Sequence, residues 1–286
     1  VLLISDGLAN RGVTDPLSLG RMAAGGPAAD AAVSTVGLGR EFNEVLMTAI
    51  ADQGAGTYHY LEDPAAFGEL FRASYRLAGR TAVSGLEVAV PLPPGVSLIH
   101  AGGYPVQVAA GRAVFRPGSL AYGQTRTLHL TFQVPTRQTG STTLEGLAFS
   151  GRCGGEPWSA TLPERFTVAC VTDPAAVLSS VRREAWAEKV LQEDYGRLKQ
   201  EVADEIRRGD KDQALERNRR YREATAAVNR QVGSGRVAAN LEQEVGALQR
   251  TVQETFAGAP AAVAAKQQQN AKALHYDGYQ KRRDQP

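Results

Sequence analysis

Few side chains in this sequence stand at the spacings that enzymes and metal sites use. The four histidines form no HExxH or HxxxH pair, and two cysteines are too few for a four-cysteine zinc site. The signatures of serine hydrolases, dinucleotide-binding proteins and P-loop enzymes (GxSxG, GxGxxG and GxxxxGKS/T) are absent from the sequence. We therefore expect no enzyme activity, neither that of a hydrolase nor that of a chelatase-type ATPase.

One carboxylate, that of Asp6, lies just after a predicted strand, a position where ligand-binding residues are common. Asp6 follows the apolar run Val1–Ile4 and the hydroxyl of Ser5. Such a run is typical of a strand buried in a parallel sheet, and an acid just beyond it can bind a hard cation. An Asp-Gly pair after a strand is also a common turn that accepts backbone N–H bonds. The residues alone leave both interpretations of Asp6 open.

Other polar side chains are explained more simply by structural roles. Asp15 and Asp63 each precede a proline and are expected to cap helices. His59 stands between two tyrosines, and we expect a structural histidine rather than a metal ligand. The remaining candidates are predicted to be packing residues of buried strands: Ser34, Thr35, Tyr58 and Tyr60.

Residues 1–80 alternate strand and helix patterns, which predicts part of a Rossmann-like α/β domain with a parallel sheet. Strands are expected at Val1–Ile4, Ala32–Val36 and Thr57–Leu61, and Gly54 is placed to end a helix as a left-handed cap. Because the first of these strands should be buried on both faces, we interpret the chain as lacking an N-terminal portion. The sheet would then keep an unpaired edge that favours self-association.

Residues 81–173 carry short alternating runs separated by Gly and Pro, which predicts an antiparallel β-sandwich. Cys153 and Cys170 each lie near a predicted strand of this domain. Adjacent strands would bring them within bridging distance, so a disulfide and two buried thiols both remain open. A disulfide would favour an extracytoplasmic location.

Residues 174–286 predict a helical region, either a hairpin within one chain or a coiled coil between chains. Narrow apolar stripes run over 191–206 and 237–256, with glycine-containing breaks at 209–210 and 233–235. From Ala259 onward we expect a frayed or loosely docked helix. Arg217, Arg219, Arg220 and Arg222 are interleaved with acids, so the cluster predicts a solvated helix face and no nucleic-acid binding.

The first segment resembles a known family. Residues 1–12 (VLLISDGLANRG), Ser34–Gly39 and Gly54–Leu61 are similar to the fourth strand and the following elements of a von Willebrand factor type A domain. Phe42-Asn43-Glu44 strengthens the match to the bacterial subgroup called Ca-activated chloride channel homologues. The resemblance covers residues 1–80 well and the later regions more loosely.

The resemblance implies a metal ion-dependent adhesion site in the full-length protein, occupied by Mg or Ca. Of the family's ligands only the aspartate after the fourth strand maps onto this chain, at Asp6, so we expect no bound metal here. A protein partner would offer a carboxylate to the cation. The implied function is a non-enzymatic adhesion or scaffolding protein of the bacterial cell envelope. The alternative is a helical assembly module with the A domain as its regulatory part.

Overall fold

The computed structural model describes residues 1–9, 11–28 and 31–284, so Asn10 of the quoted motif lies outside the described residues. The chain divides into two compact units. The sheet unit comprises Val1–Arg126 and Leu130–Ala169, and the helical unit comprises Thr127–His129 and Cys170–Pro286. The division into three domains at 80 and 173 stays a prediction.

A parallel sheet opens the sheet unit, as the sequence predicts. Strands β1 (Leu2–Ser5), β2 (Val33–Leu38) and β3 (Ala55–Leu61) stand in the order β1-β2-β3, with Leu2 opposite Ser34. Because each connection returns to the same end of the sheet, helices link the strands. They are α1 (Pro16–Ala23), α2 (Gly25–Ala28) and α3 (Glu44–Gln53), and after β3 follow a 3₁₀-helix (Pro64–Ala66) and α4 (Phe67–Ala78).

Strand β1 is not buried on both faces, contrary to the sequence prediction. Leu3 is 41% exposed and Ile4 is 44% exposed, whereas Val36 on the neighbouring β2 is fully buried. An apolar run signals that a strand prefers burial, but its actual burial depends on neighbours on both sides. Among the described residues, β1 pairs with β2 alone.

The turn after α3 uses glycine for a different reason from the one predicted. Gly54 has φ −80°, which is not left-handed, and the left-handed residue is Ala55 with φ 52°. A Cβ on Gly54 would stand 2.6 Å from Cβ of Val33. Close approach to the start of β2, and not backbone conformation, therefore requires glycine there.

Residues 81–170 form antiparallel strands, with a five-stranded sheet in the order β11-β10-β4-β7-β6. Leu86, Val88 and Val90 of β4 are buried in alternation, as predicted. Two further ladders pair β5 with β8 and β9 with β12, and stacking of sheets into a sandwich stays a prediction. The strands are β4 (Thr81–Pro91), β5 (Ser97–Ala101), β6 (Gln107–Ala109), β7 (Arg112–Ala121), β8 (Leu130–Gln133), β9 (Gly140–Leu144), β10 (Ala148–Cys153), β11 (Glu156–Thr161) and β12 (Phe166–Cys170).

The helical unit contains the helices that the stripes predict, with breaks at the predicted glycines. Gly209 and Gly233 adopt left-handed conformations, and Asp210 and Ser234 then cap the next helices by accepting backbone N–H bonds. The helices are α5 (Pro174–Ser179), α6 (Arg183–Lys189), a π-helical turn (Val190–Asp194), α7 (Tyr195–Arg208), α8 (Lys211–Val232), α9 (Gly235–Thr255) and α10 (Pro260–Arg283).

Both apolar stripes bury each other within one chain, in a single core. The first stripe differs from the prediction at its start: Leu191 is half-buried, and Val190 and Glu193 turn inward instead. A π-turn contains one residue more than an α-turn, which rotates the preceding residues to a different face. No helix in the described part of the chain is long and apolar enough to cross a membrane.

The expectation of a frayed or loosely docked C-terminal helix is wrong. Helix α10 packs closely along α7, and its Tyr279 and Arg283 are 1% and 2% exposed. The two backbones approach at facing glycines: a Cβ on Gly278 would stand 2.4 Å from the carbonyl oxygen of Gly196. The Ala- and Gln-rich composition conceals this docking because small residues and polar bonds, and not a stripe of large apolar residues, hold the helix.

Candidate functional site

Charged residues follow each strand at the carboxyl edge of the parallel sheet. Asp6 follows β1, Arg40 follows β2 and Glu62 follows β3. Parallel strands end at the same edge, and in open α/β sheets ligands bind outside this edge. The sheet therefore places the predicted metal ligand Asp6 where a ligand of an α/β protein would bind.

Asp6 itself does not hold its turn together. The Ser5 hydroxyl donates to the Gly7 carbonyl oxygen at 3.0 Å, and the Gly7 N–H approaches Ser5 Oγ at 3.4 Å. The Asp6 side chain is exposed and makes no hydrogen bond or ion pair within the described residues. The Ser5 side chain thus forms the turn hydrogen bonds that the turn interpretation assigned to Asp6, and the Asp6 carboxylate faces solvent.

The loops after β2 and β3 are joined to each other. The Gly39 N–H donates to the Leu61 carbonyl at 2.9 Å, and Arg40 stands 3.9 Å from Glu62 in an ion pair whose side chains are about half exposed, 46% and 50%. An exposed pair of this kind contributes little to stability. The pair offsets part of the Glu62 charge, and Asp6 and Glu41 are exposed acids of these loops without an ion pair among the described residues.

The residues present do not fit a Mg or Ca site. Such cations take about six oxygen ligands, usually from several carboxylates. No group of three or more His, Cys, Asp or Glu side chains in the described part of the chain could hold a metal ion. Asp6 supplies one carboxylate, and the neighbouring Ser5 hydroxyl is engaged with Gly7.

The predicted helix caps are confirmed. The Asp15 carboxylate accepts the Ser18 N–H at 2.8 Å at the start of α1. Hydrogen bonds from the Ser18 side chain and then from its backbone hold the pKa of Asp15 below its ordinary value. Asp63 accepts the Ala65 N–H at 2.9 Å and caps the 3₁₀-helix before α4. Both acids are thereby committed to backbone groups.

The central residues of β2 and β3 are packing residues, as predicted. Thr35 is fully buried and donates to the Met47 carbonyl of α3 at 2.8 Å, and half-buried Ser34 accepts the Thr57 N–H at 3.1 Å. Tyr58 and Tyr60 are buried on the same face of β3, with ring centroids 6.5 and 5.8 Å from that of Phe42.

His59 faces the other side of β3. Burial lowers the pKa of its imidazole from 6.5 to about 4, so the ring is neutral at pH 7. A largely buried neutral ring in the middle of a strand suits the structural histidine that the sequence predicts.

The two cysteines are reduced in the structure. Cys153 is exposed at the end of β10, and Cys170 is half-buried at the end of β12. The disulfide between them stays a prediction.

Three of the four arginines of the α8 cluster, Arg217, Arg219 and Arg220, are paired with acids, whereas Arg222 has no ion pair among the described residues. Arg219 contacts Glu223 at 2.8 Å and Arg220 contacts Glu216 at 2.5 Å, both at i,i+4. These arginines hold the pKa of Glu216 at about 2. Arg217 bonds Glu205 of α7 at 2.7 Å. The face is therefore a network of ion pairs in which neither sign dominates.

A buried ion pair between helices was not predicted. Glu193 of the π-turn is fully buried, and Arg282 of α10 donates to it at 2.8 Å and to Gln200 at 2.7 Å. Nearby, Lys199 pairs with Asp277 and stands 4.6 Å above the Tyr195 ring. The basic run Lys281-Arg282-Arg283 was the sequence feature that could have indicated an ion pair. Its acid partner, however, is Glu193, which lies 89 positions away from Arg282 in sequence.

Comparisons with known proteins support the fold. No protein-family model matches the sequence, and no curated protein matches it. A solved structure described as von Willebrand factor type A from Catenulispora acidiphila aligns with 97% of this chain at 17% identity and a TM-score of 0.60. The chain spans 64% of the length of that protein.

Two further solved structures align less closely. VWA2, the ArnB paralog from Sulfolobus acidocaldarius, is 16% identical with a TM-score of 0.41; 96% of this chain and 63% of that protein are covered. Human COPII-coat protein Sec24c is 10% identical with a TM-score of 0.42; 94% of this chain and 39% of that one are covered. The Catenulispora structure, together with the parallel sheet and its helices, shows that this chain has a von Willebrand factor type A-like fold.

Proposed function

We propose that this chain is a non-enzymatic protein–protein interaction module, an adhesion or scaffolding part of a bacterial cell envelope. The observation that carries the proposal is the exposed Asp6 carboxylate at the carboxyl edge of a von Willebrand factor type A-like parallel sheet. This edge is the usual ligand-binding edge of open α/β sheets, and Asp6 is an exposed acid there without an ion pair in the described chain.

We propose that partner binding depends on a cation only in a longer polypeptide that contains this chain. In such a protein Asp6 would give one oxygen to Mg or Ca, and the other ligands would come from outside these 286 residues. The partner would offer a carboxylate to the same cation. The envelope location is supported by the family resemblance, and a disulfide between Cys153 and Cys170, if found, would add to that support.

The test compares Asp6→Ala with Asp212→Ala, which removes an exposed acid from α8. In the longer polypeptide we expect Asp6→Ala and chelation each to weaken partner binding at least about tenfold, or 1.4 kcal/mol. Asp212→Ala should leave binding unchanged. Partner binding that survives both Asp6→Ala and chelation contradicts the proposed role of this edge.

The alternative, a helical assembly module, would have to use the outer surfaces of the helices. The apolar stripes that could pair between chains are already buried within one chain. Val228 of α8 remains 41% exposed and is available for such a contact. An oligomer in solution that Val228→Lys dissociates would favour this alternative over the interaction module.

A further inference from the structure

A cavity between α7 and α8 lies within the helical unit. It is open to solvent and has a volume of about 340 Å³. Three arginines line it, Arg197, Arg217 and Arg220, together with buried Leu198 and half-buried Tyr221. Leu198 belongs to the packed core of the helices and Tyr221 packs against that core, so the cavity has a fixed base.

Each of these arginines contacts a carboxylate that is also paired with a second cation, and the second cation does not line the cavity. The three sets are Asp194 with Arg197 and Lys189, Glu205 with Arg217 and Arg208, and Glu216 with Arg220 and Arg219, at nitrogen–oxygen distances from 2.5 to 3.2 Å. A carboxylate carries one negative charge, so two cations leave each set with an excess of positive charge. The arginines are the cations on the cavity side, and the excess therefore borders the cavity.

Two further acids reduce this excess but do not cancel it. Glu201 lies 3.4 Å from Arg217 and 3.9 Å from Arg197. Glu223 lies 2.8 Å from Arg219 at an exposed position of α8 and does not line the cavity. Within the described residues the ion-paired network thus has one cation more than it has acids. Glu223 balances Arg219 on the outer face of α8, so the unbalanced charge remains beside the cavity.

The lining arginines also keep unused hydrogen-bond donors within the described part of the chain. A guanidinium group carries five N–H groups. Arg220 donates from Nε to Glu216, and Arg197 donates from one Nη to Asp194. Neither Nη nitrogen of Arg220 has an acceptor among the described residues. These N–H groups can form the paired hydrogen bonds with which arginine binds oxyanions.

We propose that this cavity binds a small molecule that carries a phosphate monoester. Its phosphate would lie between Arg197, Arg217 and Arg220, and its organic substituent against Leu198 and Tyr221. One arginine satisfies both oxygens of a carboxylate, whereas a phosphate monoester has three terminal oxygens and a charge of about −1.5 to −2 at pH 7. Three guanidinium groups therefore fit the phosphate better. This site is separate from the carboxyl edge of the parallel sheet and does not depend on the function proposed there.

Titration calorimetry on the 286-residue chain tests the site. The probes are phenyl phosphate and inorganic phosphate at about pH 7.5 and an ionic strength of about 50 mM, where both are mostly dianions. We expect one site per chain, with a dissociation constant of about 1 mM or lower for phenyl phosphate. Inorganic phosphate should bind at least about threefold more weakly, because it makes no contact with Leu198 and Tyr221. The absence of saturable binding of either probe up to about 10 mM overturns the proposal.

Arg220→Gln removes one of the proposed phosphate contacts. It should preserve the fold, because Arg220 is 75% exposed and Glu216 keeps its pair with Arg219. We expect it to weaken phenyl phosphate binding at least about fivefold. Arg222→Gln is the matched control, since it removes the same charge from an exposed position of α8 that does not line the cavity. Its affinity should change less than about twofold.

Arg197→Gln tests the opposite side of the cavity, on α7. Asp194 keeps its pair with Lys189 in this variant, so the fold should again be preserved. Circular dichroism identifies a variant that fails to fold, and the other variant then decides the question. Wild-type affinity in the folded variants of Arg197 and Arg220, or an equal loss of affinity in Arg222→Gln, contradicts the proposed site.

Discussion

In the helical unit charged groups lie inside, whereas in the sheet unit apolar groups lie outside. Glu193 and Arg282 are largely buried and satisfied by each other and by Gln200. Leu3 and Ile4 of β1 are exposed beside an edge with which no strand of the described chain pairs. A helix forms its backbone hydrogen bonds within itself, so its buried positions can also hold polar side chains that pair with each other. A strand needs a neighbouring strand before its backbone groups are paired and its apolar side chains are buried.

The two tryptophans allow this comparison to be measured. Trp158 lies in β11 of the sheet unit, and Trp186 lies in α6 of the helical unit. Trp186→Phe leaves a fluorophore only in the sheet unit, and Trp158→Phe leaves one only in the helical unit. Denaturation followed in each background reports the unfolding of one unit.

The largest effect is expected from breaking the buried ion pair. Arg282→Met should lower the unfolding free energy of the helical unit by about 3–5 kcal/mol, because it leaves the Glu193 carboxylate buried without its cation. Urea unfolding followed by Trp186 measures the change. Arg250→Met, at an exposed position of α9, is the control and should change it by less than about 0.5 kcal/mol. The pair-replacing variant Glu193→Leu with Arg282→Met should recover most of the loss.

The sheet unit should lose stability in mild acid. The folded pKa of His59 is about 4 against an ordinary 6.5, so between these values the unfolded chain binds a proton that the folded chain does not. The contribution of the neutral His59 to the unfolding free energy is therefore fully present above pH 6.5. It falls by up to about 3 kcal/mol as the pH drops to 4.

Urea unfolding at pH 7, 5.5 and 4, followed by Trp158, measures this decline. His59→Asn should flatten it, and His129→Asn in the helical unit should leave it unchanged. An equally steep decline in His59→Asn would assign the acid sensitivity to other groups.

Close packing of α10 on α7 predicts a somewhat smaller effect. Gly278→Ala places a methyl group against the Gly196 carbonyl, so the helices must separate, and we expect a loss of about 2 kcal/mol. Gly246→Ala in α9 is the matched control, because its Cβ would meet only the Arg250 guanidinium at 3.8 Å. That variant should gain up to about 1 kcal/mol from helix propensity. Equal responses of the two variants would show that the facing glycines are not a tight contact.

The smallest effect concerns a helix cap. Asp210 accepts the Gln213 N–H at 3.0 Å at the start of α8, so Asp210→Ala should cost about 1 kcal/mol in thermal unfolding followed by Trp186. Asp212→Ala removes an acid from the same turn without removing a cap bond, and its loss should be smaller. A larger loss for Asp212→Ala would contradict the cap assignment.

Local signals explain what could be predicted from the sequence. The breaks at Gly209 and Gly233 and the caps Asp15 and Asp63 depend on a few neighbouring residues, and all appear where expected. Alternation placed β4, and apolar runs placed the three parallel strands. These features need no knowledge of distant contacts.

Distant contacts explain what was missed. The exposure of β1 depends on which strand lies beside it, and the docking of α10 depends on Gly196 and Glu193, which lie more than 80 positions away. At the candidate site the sequence placed Asp6 after a strand, but it could not show that Ser5 holds the turn or that Arg40 neutralises Glu62. Such pairings follow from the topology of the sheet and not from residue spacing.

The π-turn Val190–Asp194 has a consequence for how this region tolerates insertions and deletions. Core positions Val190 and Tyr195 are five residues apart, a step that would place them about 140° apart on an uninterrupted α-helix. The wider π-turn brings the core-facing sides of α6 and α7 onto the same face of the continuous helix. Deleting one residue here would restore a regular helix in which Ala187 and Tyr195 stand seven residues apart, within about 20° of the same face, so both would still face the core. The flanking helices therefore do not depend on the added residue for their register, and what the π-turn itself contributes is the inward position of Glu193.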